Sequence, residues 1–215
     1  MAAFKRIACV LIILSAFIIG GAKCQVMKYG LKVGVNASNF SIRTNAFGQG
    51  LKNIWKPVLV SQAGAFIKTT LGKRTGIQAE LLYNINGSNI QFSQVSRSYA
   101  HLLSLPLVLD VYLGKRIILE VGPQVSFVLK PKKSLLMIDT HTDLALVGGL
   151  KMNISPSWST GLRFVQGIAP LGTLVAVDEK GQPKNIRDFY SRNLQFSVAY
   201  QFNKKRKQQL LPDDK

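Results

Sequence analysis

Along the last stretch before the C-terminal tail, odd and even positions differ in kind. Leu194, Phe196, Val198, Tyr200 and Phe202 alternate with Gln195, Ser197, Ala199 and Gln201. A period of two is the signature of a β-strand, whose successive side chains leave opposite faces. One face is large and apolar, the other small and polar, and the strand ends in aromatics. That pairing suits a wall between lipid outside and a narrow lumen inside.

The alternation returns seven times upstream. Tyr29, Leu31, Val33 and Val35 oppose Gly30, Lys32, Gly34 and Asn36. A weaker stretch sets Ala63, Ala65, Ile67 and Leu71 against Gln62, Gly64, Phe66 and Lys68. Ile77 to Ile85 sets Leu81 and Tyr83 against Gln78, Glu80 and Asn84. Further segments fall at Leu103–Leu113, Ile117–Leu129, Leu144–Ile154 and Trp158–Phe164. Short turns are expected at 72–74, 114–116 and 155–157, and long polar loops near 40–56, 87–97, 130–142 and 169–190. Leu-Gly-Lys-Arg occurs twice, at 71–74 and 113–116, each time closing a segment. The expected fold is all-β: an eight-stranded antiparallel up-and-down transmembrane β-barrel, short turns and both termini at the periplasmic end.

The N-terminus fits export. Lys5 and Arg6 precede an apolar run from Ile7 to Gly21, of signal-peptide length and too short for a spanning helix. Small residues at Ala22 and Cys24 allow cleavage before Gln25, so residues 1–24 read as a signal peptide, 25–202 as the barrel and 203–215 as a basic periplasmic tail. Acylation of Cys24 is disfavoured by Lys23 just before it, and a retained anchor helix by the length of the run. Cleavage removes both cysteines, Cys9 and Cys24, and with them any disulfide or thiol chemistry.

Polar-face composition decides which side faces out. It is Gly, Ser, Ala, Gln and Asn with few charges, as a crowded interior requires, whereas the solvated outside of a lipocalin-like soluble binder would carry many Lys and Glu. Tyr29, Tyr83, Tyr99, Trp158, Tyr200 and Phe202 on the apolar face read as interfacial girdles. With this facing, Lys32, Lys68, Lys151 and Arg163 point inward, as do Glu80, Asp110, Glu120 and Asp143. Four cations and four anions balance, and buried charges persist only when paired. They are expected to form a structural salt-bridge network with Glu80–Arg163 at its centre.

The net charge is +18, and residues 1–24 carry three of the cations and no acid, so about +15 belongs to the rest. That surplus falls on two rims. Lys73, Arg74, Lys115, Arg116 and Lys204-Lys205-Arg206-Lys207 mark the periplasmic one. Arg43, Lys52, Lys56, Arg97, Lys130, Lys132, Lys133, Lys184, Arg187 and Arg192 mark the outer one. Their expected partners are phosphates of outer-membrane lipids, lipid A included; an exported, lipid-embedded chain has no occasion to bind nucleic acid.

Catalysis finds little support. His101 lies on the outward face and reads as interfacial. His141 sits beside Asp139 and Asp143, with no nucleophile in register. There is no G-x-S-x-G, no paired His for zinc and no phosphate loop, so no cofactor is expected. A lipid-modifying enzyme remains the rival that replacement of His141 would test. Gly148-Gly149 reads as close packing inside the barrel.

Gly30-Leu31-Lys32-Val33-Gly34-Val35-Asn36, Gly76-Ile77-Gln78-Ala79-Glu80-Leu81-Leu82-Tyr83, Leu105-Pro106-Leu107, Gly122-Pro123-Gln124 and the closing Val198-Ala199-Tyr200-Gln201-Phe202, in this order and spacing, resemble the PorT-like outer-membrane β-barrel family of Gram-negative bacteria. The similarity covers most of Gln25 to Phe202. It implies an eight-stranded barrel inserted by the barrel-assembly machinery. The family's founding member is linked to a system that secretes proteins across the outer membrane, and no catalytic residue carries over. Family chains commonly stop near the last aromatic, whereas this one runs on to Lys215. The expectation is an outer-membrane barrel without enzymatic activity, with a structural or interaction role or a place in a secretion apparatus.

Overall fold

A computed structural model describes residues 27–43, 55–91, 95–131, 142–170, 172–177 and 183–202. Ten strands follow in chain order: β1 Lys28–Arg43, β2 Trp55–Lys56, β3 Val58–Thr70, β4 Thr75–Gln91, β5 Val95–Tyr112, β6 Ile117–Pro131, β7 Thr142–Asn153, β8 Trp158–Gly167, β9 Gly172–Val177 and β10 Pro183–Phe202. Eight of them form the wall, in the order β1-β3-β4-β5-β6-β7-β8-β10, and every pairing is antiparallel. β1 meets β10 from Tyr29↔Phe202 to Arg43↔Asp188, so the sheet closes and no wall strand is left as an edge. The short β2 and β9 extend the wall by pairing with β4 and β10.

Three four-residue turns join strands at one end. In the two Leu-Gly-Lys-Arg repeats the same bond closes the hairpin: Leu71 N–H donates to Thr75 O (2.9 Å) and Leu113 N–H to Ile117 O (3.0 Å). At 154–157 the Ser155 hydroxyl oxygen also accepts from the Trp158 amide (3.1 Å), fixing the turn from the side-chain side.

The other end departs from the sequence expectation. Much of what reads as loop at 40–56, 87–97, 130–142 and 169–190 is paired strand. β4 and β5 continue to Gln91↔Val95, and β10 begins at Pro183 against β9. Along residues 88–91 and 95–98 most positions are polar, so the sequence shows no apolar alternation although the backbone ladder continues.

Two prolines sit inside the wall. Each lacks the N–H a ladder position needs. Pairing lapses opposite both: β4 and β5 skip from Ala79↔Leu107 to Leu82↔Ser104 around Pro106, and β5 and β6 skip from Pro106↔Gln124 to Leu109↔Val121 around Pro123.

Facing follows the parity. Leu31, Val33, Leu59, Leu150, Leu162 and Phe196 are among the outward residues, each roughly half exposed or more. Glu80, Asp110, Glu120 and Arg163 are buried inside. A ligand-filled soluble barrel would reverse this.

Candidate functional site: the charged lumen

Six wall strands each contribute one charged side chain to a cluster in the bore: Lys32 from β1, Glu80 from β4, Asp110 from β5, Glu120 from β6, Lys151 from β7 and Arg163 from β8. All six are at most 7 % exposed. They form a single chain of alternating sign. Lys32 Nζ lies 3.1 Å from Glu80 Oε2. Arg163 donates Nη1 and Nη2 to Glu80 (2.8 and 2.6 Å), and Nε and Nη2 to Glu120 (2.6 and 2.8 Å). Lys151 Nζ then bridges Glu120 Oε1 (2.7 Å) and Asp110 Oδ2 (3.0 Å). Three cations meet three anions, so the buried cluster is neutral. The planar Arg fork holds each of its two carboxylates with a pair of bonds, a bidentate geometry Lys cannot reproduce.

Glycines let these side chains cross intervening strands. Gly149 on β7 stands in register between Glu120 and Arg163. A Cβ there would lie 2.6 Å from Leu162 O and 2.7 Å from Arg163 Cγ. The bare backbone is what allows Arg163 to reach Glu120. Its neighbour Gly148 corrects the expectation of close packing at both positions: it faces outward, with nothing within 4 Å of an added Cβ. Gly149→Ala is therefore expected to destabilise the barrel by about 1–3 kcal/mol. Gly148→Ala should stay within about 0.5 kcal/mol. Urea titration of the folded, fast-migrating band would compare them, and equal behaviour would contradict the lumen geometry.

The remaining two inward charges stand outside the chain. Lys68 makes no ion pair among the described residues; its Nζ lies 5.8 Å from the Phe66 ring centroid. Asp143 is 2 % exposed and accepts one hydrogen bond, from the Ser191 hydroxyl (2.7 Å). Charges balance four to four in count, yet the pairing is three to three.

Two features go beyond the sequence reading. Gln78 belongs to the cluster, donating to Glu80 and accepting from Lys151 Nζ (3.1 Å). Its place on the inward face of β4 was the available signal. On the long-loop side of the charges, Asn84 Nδ2 donates to Ser104 Oγ (2.7 Å), which shares a bond with Ser126 Oγ (2.8 Å). Leu82, Leu102, Val108, Ile118, Val147 and Val165 fill the gaps, each at most 2 % exposed.

Outside, aromatics gather at the short-turn end: Tyr29 lies 5.5 Å from Phe202, Trp158 4.9 Å from Tyr200, and Tyr200 5.3 Å from Phe202, ring centre to ring centre. Tyr83 stands higher on the wall, where its hydroxyl and His101 Nδ1 share a 2.6 Å hydrogen bond; Tyr99 lies on β5, two residues before His101. Lys73, Arg74, Lys115 and Arg116 are exposed on the turns, and Arg192 Nε donates to Gln166 (3.1 Å). Residues 1–24, where a signal peptide is expected, Lys52, Lys132, Lys133, Asp139, His141 and Lys204–Lys207 lie outside the described residues, as do the side chains of Arg43, Lys56, Arg97, Lys130, Lys184 and Arg187.

A closed antiparallel barrel with an apolar belt outside and a neutral ionic core inside defines a transmembrane barrel of the outer-membrane kind. The family described as "Outer membrane protein beta-barrel domain" matches residues 25–205, and the chain belongs to it, an outer-membrane protein. No curated protein matches the chain. Among solved structures it is similar to OprG of Pseudomonas aeruginosa, with 11 % identity over 83 % of this chain and 95 % of that one and a TM-score of 0.48. Neisserial surface protein A is similar at 11 % identity over 80 % and 97 %, TM-score 0.48. So is Ail, the attachment invasion locus protein of Yersinia pestis, in complex with the heparin analogue sucrose octasulfate, at 10 % identity over 82 % and 99 %, TM-score 0.44.

Proposed function

We propose that this protein is an exported, non-enzymatic outer-membrane barrel whose wall is an anchor and whose ends do the work, as an interaction scaffold within a protein-secretion apparatus. The observation that carries the reading is the Lys32–Glu80–Arg163–Glu120–Lys151–Asp110 chain, which joins six of the eight wall strands across the bore. Eight strands leave room for side chains and little else, and here those side chains are locked to one another. A barrel filled in this way favours rigidity over passage. Recognition then falls to the projecting hairpins at the long-loop end. The secretion role rests on the PorT-like resemblance of the quoted motifs. In this reading the barrel-assembly machinery inserts the chain, the signal segment is removed, both termini lie in the periplasm, and the basic rims hold lipid phosphates, lipid A included.

Two experiments test it. Purified protein in planar bilayers is expected to show no steady conductance, while the double variant Glu80→Ala/Arg163→Ala should open discrete steps. Steady conductance of the unaltered protein would refute the filled-bore reading. Separately, cells lacking the protein should retain in the periplasm proteins otherwise found outside. Unchanged export would remove the secretion role and leave the anchor.

A further inference from the structure

At the short-turn mouth the bore widens into a cavity of about 480 Å³. All three short turns or their flanking strands contribute to it, together with both terminal strands. Four cations line it, Lys28, Lys68, Lys115 and Arg116, and no carboxylate does. None of the four has an ion pair among the described residues, whose pairs are all made by Lys32, Lys151 and Arg163. Lys68 is the inner wall of this space. It arrives by the inward parity of β3, and it lines both the mouth and the small gap leading to Lys151 and Glu120. Lys151 is committed to Glu120 and Asp110, and Lys68 makes no ion pair among the described residues.

Donors other than cations converge on the same space. Tyr112, a hydroxyl-bearing residue, lines it from β5. Ser155, also in the lining, accepts the Ser157 and Trp158 amides on its hydroxyl oxygen, which leaves the O–H as a donor. Cations held this close repel one another, and a compact multivalent anion relieves more of that repulsion per unit volume than a monocarboxylate does. The volume lies in the range of about 300–1,000 Å³ common for small-ligand sites.

We propose that this vestibule is a binding site for a phosphoanion, with Lys68 as its innermost ligand and Lys28, Lys115 and Arg116 as its outer clamp. The site is separate from the rim positions Lys73 and Arg74, which lie exposed on the neighbouring turn and are absent from its lining. It does not depend on the secretion role.

The test uses the full chain folded in neutral, phosphate-free detergent, with inorganic pyrophosphate titrated in by calorimetry at low salt. Saturable one-to-one binding is expected. Lys68→Met should weaken it roughly tenfold or more, since it removes a charge-assisted bond to the anion. The double variant Lys28→Met/Arg116→Gln should weaken it as well, and Lys73→Met should leave it unchanged. Each variant is first checked for faster unboiled gel mobility, and the double variant carries the test should Lys68→Met fail to fold. Absence of saturable binding, or equal weakening by Lys68→Met and Lys73→Met, would overturn the proposal. A second arm repeats the titration in phosphatidylcholine nanodiscs with and without phosphatidate. Loss of pyrophosphate binding when phosphatidate is present identifies a lipid headgroup as the occupant; undiminished binding identifies a soluble phosphoanion.

Discussion

Replacing Arg163 by methionine is expected to destabilise the folded barrel by about 3–5 kcal/mol, the range for breaking a buried ion pair from one side. The cause is bookkeeping of charge within a closed space. Arg163 makes four bonds to two carboxylates, and its loss leaves Glu80 facing Lys32 and Glu120 sharing Lys151 with Asp110. Three buried anions then meet two cations. Removing Glu120 at the same time, in Arg163→Met/Glu120→Gln, restores a neutral arrangement of Lys32–Glu80 and Lys151–Asp110. That double variant should regain most of the lost stability, because replacing a buried pair is far cheaper than orphaning half of it. Urea midpoints of the heat-modifiable band, read for wild type, single and double variants, form the cycle. A single variant as stable as wild type would show that the chain of charges does not hold the barrel. A double variant worse than the single would show that packing, not charge, is what Arg163 supplies.

The wall was legible in the residues wherever one face is apolar and the other polar. In β10 the alternation from Leu194 to Phe202 gives parity, phase and facing at once, and Gln195 and Ser197 are buried as that parity requires. Parity also picks out all six members of the charge chain, since a charged residue on the small-residue face has nowhere to go but inward. It is blind where both faces are apolar. Leu102-Leu103, Ile117-Ile118-Leu119 and Leu146-Val147 are continuous runs, and their inward members Leu102, Ile118 and Val147 are buried lumen fillers. It is equally blind where polar residues predominate at both parities, which is why the extensions of β4 and β5 read as loops. The pairing within the lumen was only partly legible. Strand spacing suggests that Glu80 and Arg163 share a level, but it cannot say that Gly149 opens the way to Glu120, or that Lys68 and Asp143 stay out of the chain. Those depend on how side chains cross neighbouring strands, which no one-dimensional period encodes.

Leu107→Arg is expected to block assembly of the barrel, and it separates the two faces of the wall. Leu107 lies on the outward face of β5 between Leu105 and Leu109, which are 43 % and 40 % exposed. Arginine there must sit in hydrocarbon near the middle of the belt, at a cost of about 2–4 kcal/mol. From sequence alone, Gln195→Arg is the milder counterpart because it points into the lumen. Gln195 is indeed inward, 2 % exposed, and its cross-strand partner on β8 is Arg163. A second guanidinium beside the first adds like-charge repulsion in a filled bore, so this variant is compromised too, for a different and curable reason. Combining it with Arg163→Gln returns the cluster to neutrality and should restore much of the folded yield in vesicles. The same second change should do nothing for Leu107→Arg, whose penalty comes from lipid. Folded fractions by unboiled gel mobility decide the matter. Rescue of Leu107→Arg by Arg163→Gln, or full tolerance of arginine at position 107, would mean that β5 turns its leucines inward and that the lumen described above is on the wrong side of the wall.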